Sequence, residues 1–594
     1  MNAFTTRPEI LGTFGVVTST HWIASTVGMS MLEKGGNAFD AAVATGFVLQ
    51  VLEPHLVGPG GDLPAIIYSA KHKKVEVICA QGPAPAGATI ERYRSEGLKL
   101  IPGDGLLATV IPGSFGGWML MLRDYGRMSV RDVLEPAIYY AEHGHPMLPR
   151  VADTINGLAS FFEEEWPTSH ETWLPGGKAP APYSNFKNPA LAETWKRVIV
   201  EAEAKRGREA QVEAARKAFY QGFIAEAIQS YLDKAEVMDG SGSRHKAVLT
   251  AADMANWSPS IEAPVTYDYH GWTVAKIGPW GQGPVFLQTL SILKNIDLAG
   301  MDPVGGEFVH TVTEAMKLAF ADREVYYGDP NFCDVPLAQL LSDSYAAERR
   351  NLIDKHASLD LRPGMVAGFE TQTERTMEML ARETGTGAVY EPTMAHLSQK
   401  RGDTVHIDVI DREGNLVSVT PSGGWLQSSP TIPGLGFCLN SRCQMFWLEP
   451  GLPSSLAPGK RPRTTLTPSL ASYEGRPTLA FGTPGGDQQE QWQIAFFLRY
   501  VHHGLNLQQA IDQALFHTAH FPASFYPRTS EPGSLIAEAN FDASVLDDLR
   551  RRGHKLTVAD HWSVGRLTAA RRDADGLLRA AATPRLMQAY AVGR

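Results

Sequence analysis

Thr404 is the residue whose type and position offer chemistry. It stands at the head of an alternating run inside residues 401–422, RGDTVHIDVIDREGNLVSVTPS, directly behind the polar stretch SQKRGD at 398–403. A hydroxyl that begins a strand just after an exposed, mobile loop is where a self-cleavage junction would lie, between Asp403 and Thr404. Thr404 is then a nucleophile that the chain exposes by cutting itself. The same pattern also describes an ordinary buried hairpin. Other familiar chemistry is missing. Gly58-Pro59-Gly60-Gly61 is glycine-rich but lacks GxxxxGK[ST] and follows a helix, so it reads as a structural turn. The 18 histidines show no HExxH spacing.

The element that must position Thr404 is a β-hairpin. Val405, Ile407 and Val409 fall on one face and His406 and Asp408 on the other. The chain turns at residues 411–415 and returns through Leu416-Val417-Ser418-Val419-Thr420. Around it the spacing predicts a strand at 15–17, helices on either side of Gly35-Gly36-Asn37, and a helix over 38–52 apolar nearly all round, hence buried. Strands at 65–69 and 75–79 bracket a basic tip, Lys71-His72-Lys73-Lys74. A strand-like piece then a helix is expected over 109–125, a helix over 130–143, helical scaffold over 151–250 and a strand over 265–274. An amphipathic helix follows over 307–327, and beyond the hairpin come a strand at 478–481 and helices over 488–502 and 507–515. Mixed strand-rich and helix-rich segments imply a layered α+β fold.

Composition narrows the function classes. The 594 residues are 43% hydrophobic and 20% charged, as in globular domains. A net charge of −10 and a pI of 6.0 leave no electrostatic footprint for nucleic acid. No run reaches the roughly 18 apolar residues of a membrane span. Cys79, Cys333, Cys438 and Cys443 form no CxxC pair and read as buried or free thiols in a reducing compartment. With no secretory signal pattern at the start, the expected location is cytoplasmic.

Several stretches, in order along most of the chain, resemble the γ-glutamyltransferase family of N-terminal-nucleophile (Ntn) hydrolases. They are GGNAFDAAVATG (35–46), EPHLVGPGG (53–61), LTAADMANW (249–257), HTVTEAMKLAFADREVYYGDP (310–330), DTVHIDVIDREGNLVSVT (403–420), KRPRTTLTPSL (460–470), GTPGG (482–486) and GLNLQQAIDQALFH (504–517). The resemblance implies a four-layer αββα sandwich with a helical elaboration in the N-terminal part. It implies a precursor that divides into a large subunit, 1–403, and a small subunit, 404–594, assembled as a heterodimer or a dimer of heterodimers. Thr404 Oγ would attack the Asp403 carbonyl, and water would open the resulting ester to free the threonine α-amine. That amine titrates near about 8 and serves as the base for its own hydroxyl. No metal or organic cofactor is implied.

Other positions transfer singly. Gly485 and Gly486 match the pair whose amides form the oxyanion hole, where a Cβ would obstruct the backbone. Ser422 matches a second hydroxyl that orients the nucleophile. Thr464 and Thr465 match a pair that binds the substrate carboxylate, with strand capping as the competing role. The departures concern recognition of an amino-acid head. Gln81 stands where an Arg would clamp the α-carboxylate, Met445 where an Asp would take the α-amine, Arg442 where a Gln would lie, and Gly424 near the place of an Asn. A neutral Gln does not replace a bidentate guanidinium. Arg442 or Arg463 could supply a relocated carboxylate site, or either could be structural. The expected activity is therefore a self-processing amidase acting on a small amide without a free α-amino acid head, oxamate-like or an acyl side chain. A glutathione or γ-glutamyl hydrolase with a rebuilt pocket is the alternative, and an uncut scaffold the third reading. Neither a nucleic-acid nor a membrane role has support.

Overall fold

A computed structural model describes residues 4–383, 404–587 and 589–594. Residues 398–403, with Asp403 of the expected junction, lie outside them. Two seven-stranded antiparallel sheets form the centre. One runs in the order Tyr590–Gly593, Gly15–Ser19, Ile407–Asp411, Leu416–Val419, Leu63–Ser69, Lys74–Ala80 and Ser260–Glu262. The other runs Ile10–Gly12, Leu578–Ala582, Thr568–Arg572, Arg476–Gly482, Ser469–Tyr473, Trp272–Lys276 and Val265–Tyr269.

The period of two along each strand builds the layers. Val17, Ile67, Ile407, Val409, Val417 and Val419 join the helices Trp22–Glu33 and Ala38–Leu52 in one core. Their neighbours Val16, Ile66, Ile410 and Leu416 meet Ala275, Leu470, Ala570 and Ala580 of the second sheet in another. The far face of that sheet packs Val274, Ala471, Leu479 and Phe481 on the helices Pro284–Leu293, Gly306–Tyr326 and Gln489–His502. This is the expected αββα sandwich. The helices Pro149–Glu164, Pro189–Glu203, Arg208–Tyr220 and Phe223–Leu232 elaborate the N-terminal part.

Three local expectations change. The helix Gly306–Tyr326 is buried on every side except at Glu307, so it is not amphipathic. Its charges are matched inside, Lys317 to Glu314 at 2.6 Å and Arg323 to Glu324 at 2.7 Å. Residues 109–113 form no strand; only the helix Ser114–Asp124 follows. The 265–274 region is a hairpin, Val265–Tyr269 and Trp272–Lys276, turning at His270-Gly271 with both φ values positive. The cysteines are free, and burial pushes the Cys79 thiol up to about 12. Among the described residues no helix is long and apolar enough to cross a membrane.

Candidate active site

The hairpin forms as its pattern requires. Ile407–Asp411 pairs antiparallel with Leu416–Val419, and Gly414 takes φ 84° in the connection. Asp411 fixes that connection by accepting the amides of Glu413 at 2.9 Å and Asn415 at 3.0 Å. The resulting register sets Ile407 opposite Val419 and continues to an isolated antiparallel bridge of Thr404 with Ser422. The length of the turn thus decides which residue faces Thr404. Both residues are fully buried, and Thr404 Oγ1 donates to Ser422 Oγ at 3.2 Å. Ser422 Oγ also accepts the Trp425 indole N–H at 3.2 Å, and the same N–H reaches Leu56 O at 2.8 Å.

The glycine turn at 58–61 is structural, as expected, and it is also the floor of this site. The Gly58 amide donates to Gly423 O at 2.9 Å, and Asp62 exchanges backbone bonds with Ser422 at 2.8 and 3.1 Å. A Cβ on Gly58 or Gly61 would lie 2.1 or 2.0 Å from a backbone oxygen of Gly424 or Ser422. The two backbones are in contact, which only glycine permits.

His406 and Asp408, the polar face of the hairpin, point between the sheets rather than to water. His406 bonds Thr420 Oγ1 at 2.8 Å and Asp408 Oδ1 at 2.9 Å. Asp408 Oδ2 accepts Thr18 at 3.0 Å and Thr568 of the other sheet at 2.7 Å. Gly482 lies against the His406 ring so closely that a Cβ would stand 2.2 Å from Cε1. From Gly482, which ends the strand Arg476–Gly482 against His406, departs the loop holding Gly485 (φ 127°) and Gly486 (φ 51°). Among the described residues no acceptor takes either amide. Consecutive free N–H groups on left-handed backbone form an anion-binding concavity. Gln282 braces it from behind, donating to Gly486 O and Thr465 O, both at 3.1 Å, while Arg323 Nη1 holds Gln282 Oε1 at 2.9 Å. Arg323 also pairs with Asp487, whose carboxyl its charge holds below the usual range against burial. Beneath the helix that follows, Lys276 Nζ meets Glu490 at 2.9 Å with both side chains fully buried. Burial pulls the lysine down and pushes the glutamate up.

The remaining expected residues divide. Arg442 belongs to the cluster. It is 1% exposed, gives Nε to Asp62 Oδ1 at 3.1 Å, and stands 5.1 Å over the Trp425 ring. Its Nη1 and Nη2 have no partner among the described residues. Buried donors without acceptors cost on the order of 1–3 kcal/mol each. Trp425, Met445 and Phe525 close an apolar wall beside it. Arg463 instead belongs to the scaffold, bonded to Arg323 O and Glu324 Oε1, both at 2.9 Å. Thr464 Oγ1 caps its own turn by accepting Leu466 N at 3.3 Å, whereas Thr465 Oγ1 is buried with no described partner. Gln81 is buried; its Nε2 reaches Gly82 O at 3.3 Å, and none of its described bonds reaches Thr404, Ser422 or Arg442.

The sequence reading missed Asp62, Phe525 and Arg528. Arg528 is buried over Trp447 at 4.1 Å and donates to Gln444 O at 3.0 Å, and burial lowers it to about 9. Their signal was spacing of a kind only the fold supplies. Among the described residues one trio, His310, Glu314 and His554, is close enough to hold a metal. Its atoms are committed otherwise: His310 to His554 at 2.9 Å and to Asp354 O at 2.8 Å, and Glu314 to Lys317 at 2.6 Å.

Residues 24–593 match the family model described as Gamma-glutamyltranspeptidase. The chain is 32% identical to the glutathione hydrolase-like YwrD proenzyme of Bacillus subtilis, over 97% of this chain and 98% of that one. It is 30% identical to the oxamate amidohydrolase proenzyme of Klebsiella pneumoniae, over 97% and 98%. The solved structure of LmbA2991HD superposes with a TM-score of 0.92 at 50% identity, covering 100% of both chains.

Proposed function

Because the chain belongs to the gamma-glutamyltranspeptidase family, an enzyme family of Ntn amidohydrolases made as proenzymes, we propose that Thr404 is its nucleophile and that the chain divides into 1–403 and 404–594. The observation that carries this reading is the register of the hairpin, which sets Thr404 Oγ1 3.2 Å from Ser422 Oγ at the head of a buried strand.

In the cut, Thr404 Oγ adds to the Asp403 carbonyl, the C–N bond breaks as the ester forms, and water hydrolyses the ester. Asp403 leaves with a carboxylate and Thr404 keeps a free α-amine. In turnover that amine takes the Oγ proton as oxygen attacks an amide carbonyl. The carbonyl oxygen becomes an alkoxide held by the Gly485 and Gly486 amides, preorganised because no acceptor among the described residues takes them. Collapse expels the amine, protonated through the Thr404 α-ammonium, and water releases the acyl group by the same route. Ser422 keeps the Thr404 hydroxyl turned by accepting its hydrogen bond, while the Trp425 N–H fixes Ser422 in turn. The two subunits stay together as a heterodimer.

The acyl donor is a small amide without a free α-amino acid head. Gln81 and Met445 offer neither a cation for an α-carboxylate nor an anion for an α-ammonium, and the likeness to an oxamate amidohydrolase proenzyme points the same way. Intact mass and denaturing electrophoresis test the core of the reading: two fragments meeting at 403/404 in the wild type and one chain in Thr404→Ala. One uncut chain in both would sink it.

A further inference from the structure

We propose that Lys276 and Glu490 are positioning residues, a buried clamp that holds the Gly485-Gly486 loop in line with the hairpin carrying Thr404. The inference rests on Thr404 as nucleophile and on the two loop amides as donors to the alkoxide, and it adds what keeps them aligned.

The loop is caught between two elements. Before it, the strand Arg476–Gly482 ends against His406. After it begins the helix Gln489–His502, whose Trp492 ring lies so close to Gly485 that a Cβ there would stand 2.3 Å away. A slide of this helix would therefore push the loop directly. What resists the slide is polar. Lys276 ends the strand Trp272–Lys276 and puts Nζ 2.9 Å from Glu490 Oε2 in the first turn of the helix. Lys276 Nζ also donates to Ser469 Oγ at 2.8 Å, and Ser469 Oγ donates to Gln493 Oε1 at 2.5 Å. Gln493 Nε2 reaches Thr467 O at 2.9 Å, while Gln489 Oε1 accepts the Thr467 amide at 3.1 Å. The Ser469 amide in turn donates to Ser418 Oγ at 3.3 Å, on the return strand of the hairpin. Helix, strand end and hairpin are thus joined through one cluster.

Stability does not account for a charge pair at this place. Both side chains are fully buried, and apolar residues of similar volume commonly serve a fold as well or better. What the pair adds is direction. An ammonium and a carboxylate in contact are satisfied at one offset of helix on strand, whereas an apolar contact tolerates several. The pair also joins residues of 1–403 and 404–594, so the alignment would persist across a cut between them.

The test uses the mature enzyme and p-nitrophenyl acetate, a small neutral acyl donor, with the rate of Thr404→Ala subtracted as background. The double variant Lys276→Met/Glu490→Gln should regain most of the melting temperature that either single change loses. Its kcat should nonetheless stay about 10²-fold down at nearly constant KM, the signature of a misplaced loop. Added to Gly485→Ala, the same two changes should cost little more, because both act through the loop. Lys317→Met/Glu314→Gln removes another buried pair, on the helix Gly306–Tyr326, and should keep kcat. Ser469→Ala takes away one hydroxyl of the cluster and should lower kcat about tenfold. A stable Lys276→Met/Glu490→Gln enzyme with wild-type kcat overturns the proposal. So does full additivity with Gly485→Ala, or an equal loss in Lys317→Met/Glu314→Gln. Where the Lys276 and Glu490 variants do not fold, an unchanged kcat in Ser469→Ala overturns it. These outcomes remove the clamp alone, whereas an uncut wild-type chain that releases no acetate removes the Thr404 reading and this one with it.

Discussion

The surroundings of Thr404 and the surroundings of Arg442 are built on different plans. The first is made of strand ends, backbone amides and short hydroxyls, and every part is fixed by sheet register or by a glycine contact with no spare volume. The second is made of long side chains on connecting segments, Arg442 and Met445 in one short turn and Phe525 in another, packed against one another. The difference teaches where this architecture can vary. A chain can change what it recognises by exchanging side chains in the second region, while the first tolerates almost no change without moving backbone.

Four substitution experiments and one titration would break or sharpen that contrast. Thr404→Ala should leave an uncut chain and cost at least about 10⁴-fold in kcat/KM, read by mass and by anilide turnover. Next come the buried charges beneath the Gly485-Gly486 loop. Lys276→Met or Glu490→Gln alone should destabilise by about 3–5 kcal/mol, and the double variant should recover most of it. Denaturant midpoints decide, and singles that cost nothing would mean that water reaches the pair. Gly485→Ala places a Cβ 2.3 Å from the Trp492 ring on backbone at φ 127°. Its kcat should fall about 10²–10³-fold, and an unchanged kcat would separate the loop from the oxyanion. Trp425 belongs to both regions, so Trp425→Phe splits them: loss of one neutral hydrogen bond should lower kcat about tenfold while the ring keeps Arg442 in place and KM steady.

The smallest effect concerns acid. Burial holds His21 and His554 down to about 3, with Lys317 adding to the effect on His554. Their folded values lie below the unfolded one, so their contribution is whole above pH 6.5 and is lost as pH falls from 6.5 towards 3. Each should steepen the loss by on the order of 1.4 kcal/mol per pH unit. Melting curves of His554→Gln between pH 7 and 4.5 should show a shallower slope than the wild type; an identical slope would mean that His554 is protonated in the fold.

Much of the candidate site was legible in the sequence because register is a local property. The alternation at 405–409, the connection at 411–415 and the return strand together define what stands opposite Thr404. The buried helix Ala38–Leu52 was equally plain from its apolar circumference. What sequence could not tell was the destination of polar residues. His406 and Asp408 alternate as if one face met water, yet they bind across the gap between sheets. The 306–326 helix carries charges that look solvated and are paired inside. Arg442 and Arg463 read alike in sequence; only the packing leaves one with two donors that no described residue accepts and commits the other to Glu324. Asp62, Phe525 and Arg528 become neighbours of the site through long-range closure, which no local period records.

The strand order of the two sheets has a consequence for the life of the molecule. Both sheets are built from strands of 1–403 and of 404–594 together, so neither segment holds an intact sheet of its own. With the proposed cut before Thr404, unfolding would turn one body into two solutes, and refolding would become a second-order encounter that dilution slows without limit. Uncut, the chain folds at the high effective concentration of a single polypeptide; the proposed cut form would rely on never opening. Its durability is therefore a matter of unfolding rate, and heat or denaturant should inactivate the cut enzyme irreversibly where the uncut Thr404→Ala chain recovers.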